Sequence, residues 1–436
     1  MQIPTPTPQA GLRALRALLR QRSPLAALES FHAELGDVFR PQLPSFSPVV
    51  LVGPEAGRFV LVSAREDFRW RVDNDPVTHL LRYGVLVVDG EQHDTLRRQM
   101  NPALHKRMLS GYVQAMLRAT DQVCAAWQPG ETRDMLVEMR KIALLIIMET
   151  LYQVDFTPQL RPLWHSVLRT IQYISPGLWL IWRGTPRPGY QRHLKQMDTY
   201  LYRIIRARRA TLGATDDLLG ALIDAGLDDG LIRDQLLTML IAGHDTSTAL
   251  LAWALHLLGQ HPAALERARA EVRAVFGESL PDAARIAELR FMDNVLDETL
   301  RLYPPIHLSS RVAAADMQFN GYDIAAGARV LFSIYLTQRH PAYWPAAAAF
   351  VPERHAQKPA PYTFLPFGGG PRNCIGAAFA QVESKMVLAR LLQRFELRAA
   401  PDQHVHAHMG ATLEPRPGVR LRIIKRLPAD SLTGQT

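Results

Sequence analysis

The ten residues from Phe367 to Gly376, Phe-Gly-Gly-Gly-Pro-Arg-Asn-Cys-Ile-Gly, restrict what this chain can fold into more than any other stretch. Gly368, Gly369 and Gly370 carry no Cβ, so the backbone is free to take positive φ and turn its N–H groups inward. The run delivers one cysteine, Cys374, just ahead of a helical pattern from Ala377 to Leu388. A sulfur facing inward N–H groups at a helix start is favoured as the thiolate, the form that binds a metal. Arg372, two residues earlier, is a fixed cation suited to a carboxylate on whatever sits above the sulfur. The plainer alternative is a tight Gly-Pro turn leading into a helix, with a buried and inert cysteine.

At 436 residues the chain exceeds the roughly 250–300 residues over which one core usually grows, so length alone suggests two or three domains. With 47% hydrophobic and 21% charged residues it reads as an ordinary globular protein. Cys124 and Cys374 are the only cysteines, which excludes a disulfide framework and fits a reducing, cytoplasmic setting. Cys124, beside Val123, Ala125 and Ala126, reads as plain core. A net charge of +9 points to nucleic acid or an acidic partner. No arginine-rich run or nucleic-acid motif supports the former, so an acidic protein is expected and no nucleic acid. No stretch approaches the ~18 consecutive apolar residues of a membrane helix; Ile142 to Met148 is cut off by Glu149.

The first ten residues alternate Pro and Thr and read as disordered or extended. They lead into a basic amphipathic helix, with Leu12, Leu15 and Leu19 on one face against Arg13, Arg16 and Arg20. Such a helix can make peripheral contact with an anionic membrane; packing its leucines on the protein body is the commoner outcome and the expectation here. Val49-Val-Leu-Val and Phe59-Val-Leu-Val, around Gly53-Pro54, read as short strands. After the Asp89-Gly90 turn, His93 and Arg97 share a helix face, ordinarily a solvated one. Residues 111–230 read as long helices. The connection 174–189, with Leu178, Trp179, Leu180, Ile181 and Trp182, is apolar enough for a lid, a membrane contact or a buried loop.

Leu231 to Gln260 is the longest helical run and contains Ala242-Gly-His-Asp-Thr-Ser. Small Ala242 and Gly243 allow a flat cofactor to approach the backbone, and the Thr246 hydroxyl can return to the Ala242 carbonyl. Asp245 in so apolar a helix is costly unless something is hydrogen-bonded or transferred there. A packing glycine and a satisfied threonine are the plainer reading. Glu298 and Arg301 stand three apart ahead of Pro304-Pro305, and Pro352-Glu-Arg354 follows. Asn320-Gly321 marks a hairpin turn, and Glu414-Pro-Arg-Pro-Gly with the alternation from Val419 reads as a final hairpin.

The pattern Phe-x-x-Gly-x-Arg-x-Cys-x-Gly resembles the heme loop of the cytochrome P-450 family, in which a cysteine thiolate holds the iron. Further family motifs follow in order between about residues 85 and 383. The resemblance implies a mainly α fold, with long helices around heme b and a small β-rich lobe. That lobe would comprise residues 37–62, the segment 313–335 and the C-terminal hairpin. Residues 1–24 would be an extension ahead of one domain, 25–436. Cys374 would ligate the iron, with Phe367, Gly368, Gly376 and Ala242 against the heme and His93, Arg97, Arg311 and Arg372 at its propionates. Asp245 and Thr246 would deliver protons to dioxygen. Glu298, Arg301 and Arg354 would steady the segment before the cysteine, and His355 stands where the family usually has an aromatic. Val85, Val87, Ile241, Ala242, Ile306, Leu308, Met409 and Ala411 would line the pocket of a small lipophilic substrate. The implied reaction is monooxygenation with O2, fed by an acidic ferredoxin- or flavodoxin-type donor near Arg98, Lys106, Arg107 and Lys385. Two alternatives are a peroxide-driven enzyme, against which the Asp245–Thr246 pair speaks, and a gas sensor or carrier, for which no appended module is visible.

Overall fold

Between Asp229 and Gln260 apolar residues fall on every face of a helical projection, a pattern stable in water only when protein surrounds it. In the computed structural model, which describes residues 1–21, 23–42, 46–72, 75–176, 187–211 and 216–428, this segment is one 32-residue helix. Asp228 caps it by accepting the N–H groups of Gly230 and Leu231. At ~1.5 Å per residue the helix is about 48 Å long, and it forms the axis of the molecule. Met135–Tyr152, buried along most of its length, packs directly against it. Gly243 permits that approach, since a Cβ there would meet Ile147 Cδ1 at 2.6 Å. This glycine therefore serves helix–helix packing.

Helices Gly90–Leu104, Lys106–Cys124, Thr157–Gln172, Pro188–Ala210, Arg290–Leu302 and Ala377–Arg394 are further parts of the body. The β lobe is a sheet in the order Val38–Phe39, Val49–Leu51, Arg329–Ser333, Leu308–Ala313, Phe68–Arg69. Asn320 (φ 47) and Gly321 (φ 79) make the expected hairpin turn between Met317–Phe319 and Tyr322–Ile324. The mainly α fold with a small β lobe is thus observed.

Three local expectations are corrected. Phe59–Ser63 is helical, continuing Pro54–Arg58, with Val60 and Leu61 buried and Val62 exposed. A four-residue apolar run has no period that separates strand from helix. The C-terminal strands form no hairpin with each other. Leu413–Arg416 pairs with His406–Met409, whereas Arg420–Arg426 lies between Thr132–Asp134 and Phe395–Ala399. Neither belongs to the five-stranded sheet. Alternation identifies a strand and one buried face, never its neighbour.

The third correction concerns the N-terminus. Residues 1–7 are extended and docked on the lobe, where Ile3 joins the core and the Pro4 carbonyl accepts from Arg40 N–H at 2.8 Å. The helix Pro8–Gln21 packs on Pro24–Leu35 and buries Ala10 and Ala14. Its leucine face points outward: Leu12, Leu15 and Leu19 are 48%, 50% and 65% exposed. Alanine on the inner face lets the two helix backbones come close, so the small side chains win the contact. Within the apolar connection 174–189, residues 177–186 lie outside the described residues. No described helix is long and apolar enough to cross a membrane.

Candidate cofactor and active site

The Cys374 loop is closed by the Cys374 N–H donating to the Phe367 carbonyl at 2.8 Å, and Gly376 caps the helix Ala377–Arg394. Of the three glycines in the run, Gly368 (φ 69) and Gly370 (φ 65) need the left-handed region, while Gly369 is extended. Gly370 is required twice over, because a Cβ would also collide with the Leu61 carbonyl oxygen. The Cys374 side chain lies deep in the protein and is nonetheless exposed, so it borders an internal space. Burial pushes its thiol above the ordinary value, and the Gly376 N–H and Arg97 pull it back only in part. Cys124, by contrast, is core, its thiol driven well up by burial.

A buried ion network steadies the segment leading to this loop. Glu298 accepts from Arg301 Nε and Nη2 (2.7 and 2.9 Å), Arg354 Nε (3.0 Å), His355 Nε2 (2.9 Å) and the Val351 N–H (2.9 Å). Burial works to raise the Glu298 pKa, yet Arg301 and His355 outweigh it and hold the group at about 2. Arg301 also donates to the carbonyl of Gln338, whose Oε1 accepts from the Leu365 N–H, two residues before Phe367. His355 fills the aromatic's place between Trp344 and Phe364 and adds a hydrogen bond that an aromatic could not.

The four predicted propionate residues do come together. Arg372 and Arg97 both bear on His93, Arg97 on Arg372, and Arg372 on Arg311. Arg97 clamps Asn373 through its carbonyl (2.7 Å) and Oδ1 (2.6 Å). Arg372 reaches the Val88 carbonyl (2.7 Å) and Asp89 (2.9 Å), and the Asp94 carboxylate meets His93 Nδ1 at 2.8 Å. Arg311 is buried with no carboxylate in ion-pair range among the described residues. It donates to the Ser310 carbonyl and lies over the Trp70 ring, which Arg372 also covers. Burial, then Arg372 beside it, lowers the Arg311 pKa well below normal. A guanidinium keeps its proton regardless, so the shift marks a site short of negative charge.

On the long helix, Ala242 is exposed and Thr246 half-buried, although Ile241, His244, Asp245 and Ser247 around them are buried. The Thr246 hydroxyl donates to the Ala242 carbonyl at 2.6 Å, as the spacing predicts. His244 meets the Arg140 carbonyl at 3.0 Å, and burial lowers its pKa to about 3, so it is neutral. The Asp245 carboxylate accepts from the Thr412 hydroxyl at 2.7 Å. Burial raises its pKa, with Arg140 and Thr412 opposing. It borders a cavity of about 430 Å³ together with Arg140, Gln172, His408, Ala411 and Glu414. Asp245 and Thr246, adjacent in sequence, thus engage different partners.

Among the expected pocket residues, Val85, Val87 and Ile241 are buried, and the Val85 N–H donates to Gln235 of the long helix at 2.8 Å. Ile306 is exposed and Leu308 half-buried. The Leu413 N–H bonds the Pro305 carbonyl at 2.9 Å, which brings the 406–416 hairpin to Ile306. Ala411 alone of this set borders the cavity at Asp245, and Met409 packs toward the small core of Phe39, Val50 and Leu413. Lys385 is withdrawn from the donor face, because it is buried and paired with Asp293 at 2.9 Å. Arg98 and Arg107 are exposed, and the Lys106 side chain lies outside the described residues. Trp70, Asp89, Asn373 and Thr412 escaped the sequence reading. Asp89 was visible only as a turn residue, and nothing local marks Trp70 or Thr412.

Together these features fit a flat, dianionic, metal-centred cofactor: a deep accessible thiol, a cation cluster short of carboxylates, and one accessible alanine on a buried helix. Comparison with known proteins agrees. The family model for cytochrome P-450 matches residues 3–421. Cytochrome P-450 139 of Mycobacterium tuberculosis is 32% identical over 441 residues, covering 95% of this chain and 98% of that protein. Cyclooctat-9-en-7-ol 5-monooxygenase of Streptomyces melanosporofaciens is 31% identical, over 87% of this chain and 86% of that one. Pentalenene oxygenase of Streptomyces avermitilis is 30% identical, over 93% and 94%. A solved cyanobacterial cytochrome P-450 with retinoic acid bound aligns with a TM-score of 0.85 at 25% identity, covering 98% of this chain and 99% of its own. The family match spans every residue of the site from Trp70 to Thr412, and this chain belongs to the cytochrome P-450 family and is a monooxygenase of it.

Proposed function

We propose that this chain holds heme b through Cys374 and inserts one oxygen atom of O2 into a lipophilic substrate. The observation that carries this reading is the deep, accessible thiol near Arg311, which is buried with no carboxylate in ion-pair range among the described residues. Bound heme would supply the oxygen-activating redox chemistry, which thiolate ligation favours by pushing electron density toward the metal. The chain's own part is ligation, charge balance and proton handling. Arg311, Arg372, Arg97 and His93 would take the two propionate carboxylates, and the burial of Arg311 without a carboxylate partner supports this. Asp245, its pKa raised by burial, keeps its proton to a higher pH than an exposed carboxylate does, in keeping with a proton-handling role. It borders the cavity of Arg140 and Glu414 and directly precedes Thr246 on the helix, which supports a role in passing protons inward.

Substrate and donor follow from chemistry. Val85, Val87, Ile241, Ile306, Leu308 and Ala411 offer no charge, which supports an apolar substrate. The names pentalenene and cyclooctat-9-en-7-ol describe olefins with at most one hydroxyl, and a related olefinic compound is the first choice to test. The electron donor is an acidic ferredoxin- or flavodoxin-type protein meeting Arg98 and Arg107, in the cytoplasm. The test is turnover of an olefin panel in ¹⁸O-labelled O2 with a reductase, an acidic ferredoxin and NADPH, against hydrogen peroxide alone. The reading expects one labelled oxygen per product and a dependence on the donor. Product formed only with peroxide would replace it with the peroxide-driven alternative.

A further inference from the structure

The first helix, Pro8–Gln21, leaves a face that the fold does not use. It carries three arginines and no acidic residue, in the order Pro-Gln-Ala-Gly-Leu-Arg-Ala-Leu-Arg-Ala-Leu-Leu-Arg-Gln. Its inner face is taken up by buried Ala10 and Ala14. Leu12, Leu15 and Leu19, spaced three and four apart, form one stripe on the outer side and are 48%, 50% and 65% exposed. At 100° per residue Arg16 and Arg20 lie beside that stripe, and both are exposed. Neither has a carboxylate in ion-pair range among the described residues, whereas Arg13, further round, is tied to Glu34.

We propose that this face binds the surface of an anionic lipid bilayer, lying in the interface with its leucines among the acyl chains and Arg16 and Arg20 at the headgroups. A large apolar stripe, a basic flank and low net hydrophobicity are the features of an interfacial helix. Charge complementarity selects this occupant over a second copy of the chain. Because this helix carries no acidic residue, a two-fold contact through the stripe offers Arg16 and Arg20 of one copy no carboxylate from the same helix of the other. An anionic surface instead attracts each of them. The helix remains held to the body through its alanines, so docking needs no unfolding. This inference is independent of the oxygenase reading.

Flotation of the heme-loaded, full-length protein with vesicles tests it, using phosphatidylcholine vesicles with and without phosphatidylglycerol. Binding is expected only when phosphatidylglycerol is present, and it should weaken as salt shortens the ~8 Å Debye length of physiological buffer. Burying half a leucine or pairing one arginine with the surface is each equivalent to about five-fold in partitioning. Leu15→Glu with Leu19→Glu should therefore raise the half-saturating lipid by at least about 25-fold, and Arg16→Glu with Arg20→Glu by about as much. The arginine pair leaves the leucines intact, so it stands if the leucine pair fails to fold; a melting curve on each variant decides that. Parent protein that stays with the buffer at every phosphatidylglycerol content overturns the proposal. So does lipid binding that neither double variant weakens. Concentration-dependent dimers in analytical ultracentrifugation, abolished by the leucine variant, would assign the face to a second copy instead.

Discussion

Replacing Glu298 by Gln removes one charge from the most enclosed ion network of the molecule while keeping the side chain's shape. Glu298 and Arg301 are both wholly buried, and Arg354 and His355 donate to the same carboxylate. The carboxyl is held at about 2, against an ordinary value of 4.5. At about 1.36 kcal/mol per pH unit, that difference is worth about 3 kcal/mol of folding stability at neutral pH. Removing one partner of a buried pair costs about 3–5 kcal/mol, because the other charge stays behind without compensation. The two routes agree, so Glu298→Gln should lose about 3–5 kcal/mol at pH 7 in guanidinium unfolding followed by circular dichroism. The sign of the pH dependence is fixed by the lowered pKa. The contribution is fully present above pH 4.5, the unfolded value, and is lost as pH falls toward 2, so the gap between parent and variant should shrink over that window. Arg13→Ala, which breaks an exposed pair, should cost no more than about 1 kcal/mol. A Glu298→Gln loss below 1 kcal/mol, or a gap that does not narrow on acidification, would refute the argument.

Cys374→Ser should fold but lose the thiolate absorbance signature of the reduced, CO-bound protein, whereas Cys124→Ser should keep it; a normal spectrum in the first would remove the central assignment. Arg311→Ala and Arg372→Ala each delete a charge-assisted hydrogen bond worth about 1.5–3 kcal/mol, so heme transfer to apomyoglobin should speed up about 10- to 150-fold. Unchanged transfer in both would disprove the propionate role. Thr246→Ala should bind substrate like the parent but yield less product per NADPH and more hydrogen peroxide, within the 10²–10⁴-fold range typical of positioned acid catalysis. Parent-like coupling would make Thr246 an ordinary self-satisfied helix residue. His355→Phe keeps the stacking between Trp344 and Phe364 but loses the bond to Glu298, and a measurable drop in stability, smaller than that of Glu298→Gln, is expected from thermal melts.

The amino-acid sequence by itself determined the chemistry that local pattern can encode. The Cys374 loop needs glycines at Gly368 and Gly370 for backbone reasons, so its identity survives in ten contiguous residues. The Thr246-to-Ala242 bond is a four-residue spacing, and the Asn320-Gly321 turn is a dipeptide. Relations between segments distant in the chain were decided by tertiary structure alone. Trp70 lies under Arg311 and Arg372, and Thr412 meets Asp245, because separate elements converge there, and no local period reports convergence. Lys385 counted as a surface cation until its helix packed it against Asp293. A Cβ on Gly243 would run into Ile147, since the azimuth of a helix buried on all sides is set by its neighbours. The outward leucines of the first helix follow the same rule. Hydrophobic periodicity says that a face exists, and packing geometry, here favouring Ala10 and Ala14, selects which face is buried.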